Sequence, residues 1–165
     1  MEHENQRFFP LFINICEKQI LIVGAGKVAL RRITSLRSFG ASIRVITKDI
    51  PKETYSEMNQ LCHRGEIRLQ KKDFTESDLT EGIDMVIAAT DNTSLNEWIY
   101  LLCKERGILV NVASNHSLCD FYFPAIIQTD HVVVGITGNG SNHTQVAQAA
   151  NNIRKSLHLQ EDGVL

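Results

Sequence analysis

The sequence has no cluster of Lys or Arg able to make a basic face: 17 basic residues are scattered among 19 acidic ones, for a net charge of −2. That argues against a nucleic-acid partner, whose phosphates require concentrated positive charge. No apolar run approaches the roughly 18 residues of a membrane-spanning helix; the longest, such as residues 85–89, are strand-sized. The four cysteines, Cys16, Cys62, Cys103 and Cys119, contain no CxxC spacing. A zinc site is therefore not expected, and the thiols read as reduced thiols of a cytoplasmic protein. The opening "MEHENQRFFP" is polar and acidic, unlike a secretory signal. Internal repeats and low-complexity linkers are missing as well. What is present, 165 residues of which 43% are hydrophobic, suits one globular domain or one domain with a small appendage.

Short β-rich runs alternate with helical stretches. "QILIVGAG" (19–26) is a continuous apolar run ending in glycines, as a buried parallel strand requires. "KVALRRITSLRSFG" (27–40) follows as a helix, with Val28, Ala29, Ile33, Leu36 and Phe39 on one face and Gly40 as its stop. Further strands are expected at 42–47, 66–70, 83–90 and 108–112, and further helices at 52–65, with Pro51 near its first turn, and 94–107. This rhythm predicts an α/β fold, a doubly wound parallel sheet with right-handed crossovers. After residue 113 the pattern changes. Two β-like runs, 121–127 and 131–137, predict an antiparallel pair or two strands of a second sheet. An amphipathic helix over 144–157 follows, with Val146, Ala149, Ala150, Ile153 and Leu157 on one face. Asn142 and Gln145 have the spacing of a capping box for it.

The segment "LIVGAGKVAL" holds Gly24-x-Gly26-x-x-Ala29 directly between the first strand and its helix. In that context Gly24 permits the tight turn, Gly26 lets a pyrophosphate approach the backbone, and Ala29 lets helix and strand pack closely. Lys27 and Val28, at the helix start, join them as dinucleotide-binding candidates, because free N–H groups and the helix dipole there favour phosphate. The alternative is a glycine turn that holds no nucleotide. An acid for the ribose hydroxyls is expected at the end of the second strand, which reads Thr47-Lys48-Asp49. Asp49 either reaches the ribose or caps the next turn; Lys48 and Arg44 are the alternatives that would meet a 2′-phosphate. Thr90 and Asp91, after the fourth strand, and Asn111, on the fifth, face the same carboxyl edge by topology. Asp91, Asn92 or Thr93 equally suits an N-cap for the next helix.

Three separated blocks resemble the precorrin-2 dehydrogenase family, the NAD-dependent module of siroheme synthases. They are "FFPLFINICEKQILIVGAGKVALRRITSLRSFGASIRVIT", "AATDNTSLNEWI" and "VNVASNHSLCDFYFPAII"; they follow in the family's order, and the resemblance extends over about residues 8–158. The resemblance implies a Rossmann-like NAD-binding domain over 1–113. It implies a small α+β dimerisation segment over 114–165, with only the start of a C-terminal helical region. It further implies oxidation of precorrin-2 to sirohydrochlorin with NAD as hydride acceptor, a homodimer, and in some members iron insertion. Two departures stand out. The family places an Asp at the position of Ser114, and the loop "TGNGSNHTQ" carries Gly138 and His143 where the family has Ser or Thr and Pro.

Removing hydride and a proton from a ring carbon calls for orientation near the nicotinamide and for a general base. Ser114 stands at the family's carboxylate position but is no base by itself. His116 and Asp120 are the nearby candidates; a histidine titrates near neutrality. The competing readings are a solvent-exposed loop histidine and, favoured for Asp120, a structural acceptor at a strand start. Asn115, Ser141 and Asn142 are candidates for the substrate's carboxylates, the last two also for helix capping. His116, His143 and Asp120 do not have a recognised metal spacing, so no resident metal is expected. Two alternatives remain: a weakened nucleotide- or tetrapyrrole-binding homologue lacking the Asp, and an unrelated Rossmann oxidoreductase, against which "CDFYFPA" argues.

Overall fold

Ile20, Leu21, Ile22 and Val23 are each at most 2% exposed, so β1 (Gln19–Val23) is covered on both faces, as its unbroken apolar sequence requires. The computed structural model describes residues 9–138 and 143–157. They fall into two compact units: Phe12–Phe121, and a smaller one made of the described residues before Phe12 and from Tyr122 on.

In the larger unit β1 is followed by α1 (Lys27–Arg37), β2 (Ser42–Thr47), α2 (Lys52–His63), β3 (Arg68–Lys71), β4 (Met85–Ala88), α3 (Thr93–Glu105) and β5 (Leu109–Val112). The five strands form one parallel sheet in the order β3-β2-β1-β4-β5. The central strands β1 and β4 are buried almost throughout, whereas the edge strand β3 is largely exposed. On one face Leu21, Val23, Ile46, Val86, Ala88, Val110 and Val112 pack with Ile99, Leu102 and Cys103 of α3 and with Phe74. Each of the Val, Leu and Ile side chains among them, fully buried, is worth about 1.5–3 kcal/mol. Burial pushes the Cys103 thiol up to about 12, with the Asp120 charge adding to it, so it stays protonated as part of this core.

The strand order reverses between β1 and β4. In a doubly wound sheet that is the switch point, where a crevice opens beyond the carboxyl ends of the strands. One detail differs from the expected helix face. Ala29, Ile33 and Leu36 form the buried stripe of α1, but Val28 is 39% exposed, because it sits beside that stripe at the helix's open start.

In the smaller unit β6 (Ala125–Gln128) and β7 (Val133–Ile136) pair antiparallel, with Ala125 opposite Ile136 and Gln128 opposite Val133. The Thr129 hydroxyl accepts from the N–H groups of His131 and Val132 to close the hairpin loop. The helix α4 (His143–Ser156) packs on these strands through Ala150, while Leu157 lies past its end and is 37% exposed rather than on the buried face. Ser141 and Asn142, and with Asn142 the expected capping box, lie outside the described residues.

Candidate active site

The glycine loop is shaped by contact with the loop after β4. Gly24 has φ +113°, and a β-carbon there would stand 2.3 Å from the Ala89 carbonyl oxygen. No L-residue side chain fits, so glycine is required for the turn itself. The Gly24 N–H donates to Ile46 O at 2.8 Å, which fixes the loop beside the end of β2. Gly26 is different. It is the N-cap of α1 at φ −75°, and nothing lies within 4 Å of a β-carbon built on it. The space that its missing side chain leaves is therefore open to a ligand. The first turn of α1 has no side-chain cap and no acidic residue; Lys27 opens it. Its free N–H groups and positive dipole end thus meet no negative charge of the helix's own first turn, which suits a pyrophosphate.

One residue behind this loop has no signal in the motif. Thr54, on α2 and 1% exposed, donates from Oγ1 to Ala25 O at 2.7 Å. The Ala25–Gly26 peptide is trans, so tying its carbonyl toward α2 aims the Gly26 N–H the opposite way.

At the end of β2 the Thr47 hydroxyl turns back to donate to Asp49 O at 2.6 Å. The Asp49 carboxylate is exposed and meets Lys71 at 3.1 Å, and Lys48 lies 3.9 Å from Asp73. Both loop charges are therefore accessible at the carboxyl edge. Arg44 is not: it donates to the Asp78 carbonyl and lines a cavity of about 380 Å³ at the opposite, amino-terminal ends of β1–β3, with Gln19, Ser42 and Arg68. It is withdrawn from any role toward a 2′-phosphate.

Beyond β4, Thr90 is held through its backbone and hydroxyl by Asn96, Asp91 is exposed, and Asn92 is the N-cap of α3, its side chain accepting from Leu95 N at 3.0 Å. Beyond β5, Ser114 is exposed, and its Oγ accepts from Asn96 Nδ2 at 3.3 Å. Asn115 caps the 3-10 turn His116–Leu118 and accepts from the backbone and hydroxyl of Ser117. His116 is exposed on that turn.

Asn111 and Asp120 lie deeper. Asn111 is 4% exposed, and its Nδ2 donates to Phe121 O at 2.8 Å and to Cys119 Sγ at 3.3 Å. Asp120 completes the free edge of β5. Its N–H donates to Val110 O, and its carboxylate accepts from Val110 N at 3.0 Å and from Lys104 Nζ at 2.7 Å. The Cys119 thiol donates within the same turn to Val112 O and Asn115 O; burial pushes its pKa up, leaving a neutral donor. The residues 119–121 thus fasten the chain to the sheet edge, and they place Ser114 to Ser117 above β5.

Among the described residues no group of three or more His, Cys, Asp or Glu is arranged to hold a metal. Of the metal-ligand candidates, Asp120 is already engaged as above, and the side chain of His143 is outside the described part.

The comparisons with known proteins agree with this geometry. Residues 11–125 match the family model described as "Putative NAD(P)-binding". The siroheme synthase of Nitrosococcus oceani is 36% identical over 136 residues, 82% of this chain and 28% of that protein. The siroheme synthase of Methylococcus capsulatus is 35% identical over 150 residues, 91% of this chain and 31% of that protein. The chain therefore spans about a third or less of the length of these relatives. A solved structure titled "SirC, precorrin-2 dehydrogenase" superposes with a TM-score of 0.75 at 22% identity, over 90% of this chain and 71% of that one, which shows a shared fold. With the switch-point loop and the matched span in hand, the chain belongs to the NAD(P)-binding family whose model it matches, and over most of its length it is similar to one segment of siroheme synthases.

Proposed function

We propose that this chain binds NAD and oxidises precorrin-2 to sirohydrochlorin, the dehydrogenation step of siroheme synthesis, as a cytoplasmic homodimer. The observation that carries the reading is the pairing of the Gly24–Gly26 loop with the Ala89–Thr90 loop at the switch point, with the Ser114 turn beside it on β5. The siroheme synthase relatives supply the substrate class. Residues 1–113 are assigned to the dinucleotide and 114–165 to dimer contacts and the tetrapyrrole.

When bound, NAD⁺ supplies the hydride acceptor. The protein's part is to hold and orient. Gly26, Lys27 and the start of α1 receive the pyrophosphate, Asp49 the ribose hydroxyls, and Thr90 and Asp91 the nicotinamide side of the crevice. A carboxylate in Asp49's position accepts hydrogen bonds from ribose hydroxyls and repels a 2′-phosphate, so NAD is favoured over NADP. His116 takes the ring proton that leaves as the hydride departs. Two hydrogens are lost from the substrate, one as hydride and one as a proton, so no other oxidant is needed.

The deciding experiment incubates the protein with precorrin-2 and NAD⁺ and follows sirohydrochlorin and NADH together. Equal amounts of both support the reading. Tight NADH binding without turnover would overturn it in favour of a binding homologue, the reading that Ser114 in place of the family Asp supports. Cobalt or iron uptake by sirohydrochlorin in the same assay tests metal insertion separately.

A further inference from the structure

Asn96 is the fourth residue of α3 and is 1% exposed. Its carboxamide uses its whole hydrogen-bonding capacity. Oδ1 accepts from Thr90 N at 3.2 Å and Thr90 Oγ1 at 2.7 Å, and Nδ2 donates to Thr90 O at 3.0 Å and Ser114 Oγ at 3.3 Å. A carboxamide offers two N–H bonds and two lone pairs, so all four are taken. The partners also settle which way the amide faces. A backbone carbonyl only accepts and a backbone N–H only donates, so Nδ2 must face Thr90 O and Oδ1 must face Thr90 N.

Two consequences follow. A buried amide is costly unless paired, by about 1–3 kcal/mol, and none of these partners lies in α3. The helix already has its cap in Asn92. The pairing therefore serves the two loops it joins, the one after β4 and the one after β5, and holds them in register at the carboxyl edge. The second consequence concerns a proton. Because Asn96 presents a donor to Ser114, the Ser114 oxygen accepts there and its own hydrogen is directed away from Asn96. Ser114 is exposed, so that hydrogen is available to a ligand.

We propose that Asn96 is the positioning residue of this site: it locks the Thr90 loop to Ser114 and aims the Ser114 hydroxyl as a donor to a carboxylate of the bound tetrapyrrole. The assignment rests on the dehydrogenase reading above for its substrate and on the hydrogen bonds alone for the link.

Both halves are testable. Ser114→Ala should raise KM for precorrin-2 about tenfold while kcat falls less than threefold and NADH affinity holds within twofold; Ser114→Thr, which keeps the hydroxyl, should restore KM to within threefold. Asn96→Asp, which cannot donate, should raise KM as Ser114→Ala does, and the double variant should be no worse than Asn96→Asp alone. Losses that simply multiply, or an unchanged KM, overturn the proposal. Should Asn96→Asp fail to fold, the Ser114 pair still decides the donor role. The link is read without turnover by NMR: Ser114→Ala should shift the Asn96 side-chain NH₂ resonances and speed their exchange with solvent, and resonances that stay put overturn it. An inactive wild type with those shifts present would sink the dehydrogenase reading and the carboxylate contact while leaving the link standing.

Discussion

A β-carbon on Gly24 would meet the carbonyl oxygen of Ala89 at 2.3 Å, whereas one on Gly26 would meet nothing within 4 Å. Two glycines of one motif therefore do different work, and substitution separates them. Gly24→Ala adds a clash with backbone to a strained φ of +113°, a cost of about 3 kcal/mol or more. The expected result is a drop in Tm on the order of 10 °C. Gly26→Ala only exchanges one N-cap for a poorer one, at under about 1 kcal/mol. Its fold should survive, with NADH affinity reduced at least tenfold because a methyl group occupies the phosphate's approach. Fluorescence titration with NADH and thermal unfolding on both variants check the contrast; equal binding by Gly26→Ala and wild type would remove the pyrophosphate from this loop.

Thr54 acts on the same loop from behind. Without its hydrogen bond to Ala25 O, the Ala25–Gly26 peptide loses the contact that aims the Gly26 N–H. Thr54→Val keeps the shape, leaves a buried carbonyl unsatisfied, and should cost about 1–3 kcal/mol of stability. It should also weaken NADH binding several-fold, and Thr54→Ser should recover both. Binding that follows stability in neither variant would show that the peptide's orientation is set elsewhere.

Asp120 is expected to behave as a structural residue. Asp120→Ala leaves Val110 N–H, on the edge of the sheet, without its acceptor, at about 2 kcal/mol. Asp120→Asn keeps an acceptor there and loses mainly the partly exposed pair with Lys104, so it should cost less. The carboxylate holds the Lys104 ammonium above its ordinary value, so that lysine's titration should move down in both variants. Urea denaturation should rank the variants in this order, and the pH profile of precorrin-2 oxidation should stay that of the wild type. A shifted profile would make Asp120 a catalytic group after all.

The sheet was legible because its evidence is local. "LIVGAG" and "MVIAAT" are too apolar for half-exposed strands, and the spacing between them leaves room for helical crossovers, so a parallel doubly wound sheet followed. Gly24 and Gly26 were legible because a tight turn before a helix restricts residue type. Thr54, Asn96 and Cys119 were not. A threonine, an asparagine and a cysteine inside or just after helical turns are ordinary in sequence; their roles arise from partners 29, 6 and 18, and 7 residues away. Arg44 misled for the opposite reason. Its charge and its nearness to Asp49 in sequence matched a phosphate site, but Arg44 lies three residues before the end of β2 at Thr47, which sets it well back along the strand and on the other face, and it is bound to Asp78 near the other end of the sheet.

Asp78 should make the protein sensitive to acid. Burial alone would raise this carboxyl, but Lys72 Nζ at 2.6 Å and the Thr75 N–H and hydroxyl outweigh it and hold it below the usual aspartate value. A carboxyl whose pKa is lower folded than unfolded stabilises the fold above the unfolded value, and that contribution is lost as pH falls through the folded one. Asp78→Asn should therefore be less stable than wild type by about 2 kcal/mol near neutral pH, with the gap closing in strong acid. Urea unfolding of the two proteins across that range measures it; a gap that does not shrink on acidification would place the stabilisation in shape rather than charge.

Ser114→Asp is the substitution that bears most directly on catalysis. It installs a carboxylate where the family pattern has one, within reach of the Asn96 Nδ2 that now meets the serine hydroxyl at 3.3 Å. A hydrogen bond to the charged form favours it, so the new carboxylate should be ionised and available as a base. With the proposed tetrapyrrole as substrate, the same negative charge would face its carboxylates, so KM should rise. The expected outcome is a kcat at least tenfold above wild type, an increase within the range a positioned base supplies. His116→Ala separates the roles. In the wild-type background it should lower kcat at least tenfold, and in the Ser114→Asp background it should matter far less, because the aspartate takes over the proton. Stopped-flow traces of NADH formation on the four proteins decide it. Equal losses from His116→Ala in both backgrounds would show that the histidine orients the substrate rather than removing its proton, and no loss in either would leave the base to be sought elsewhere.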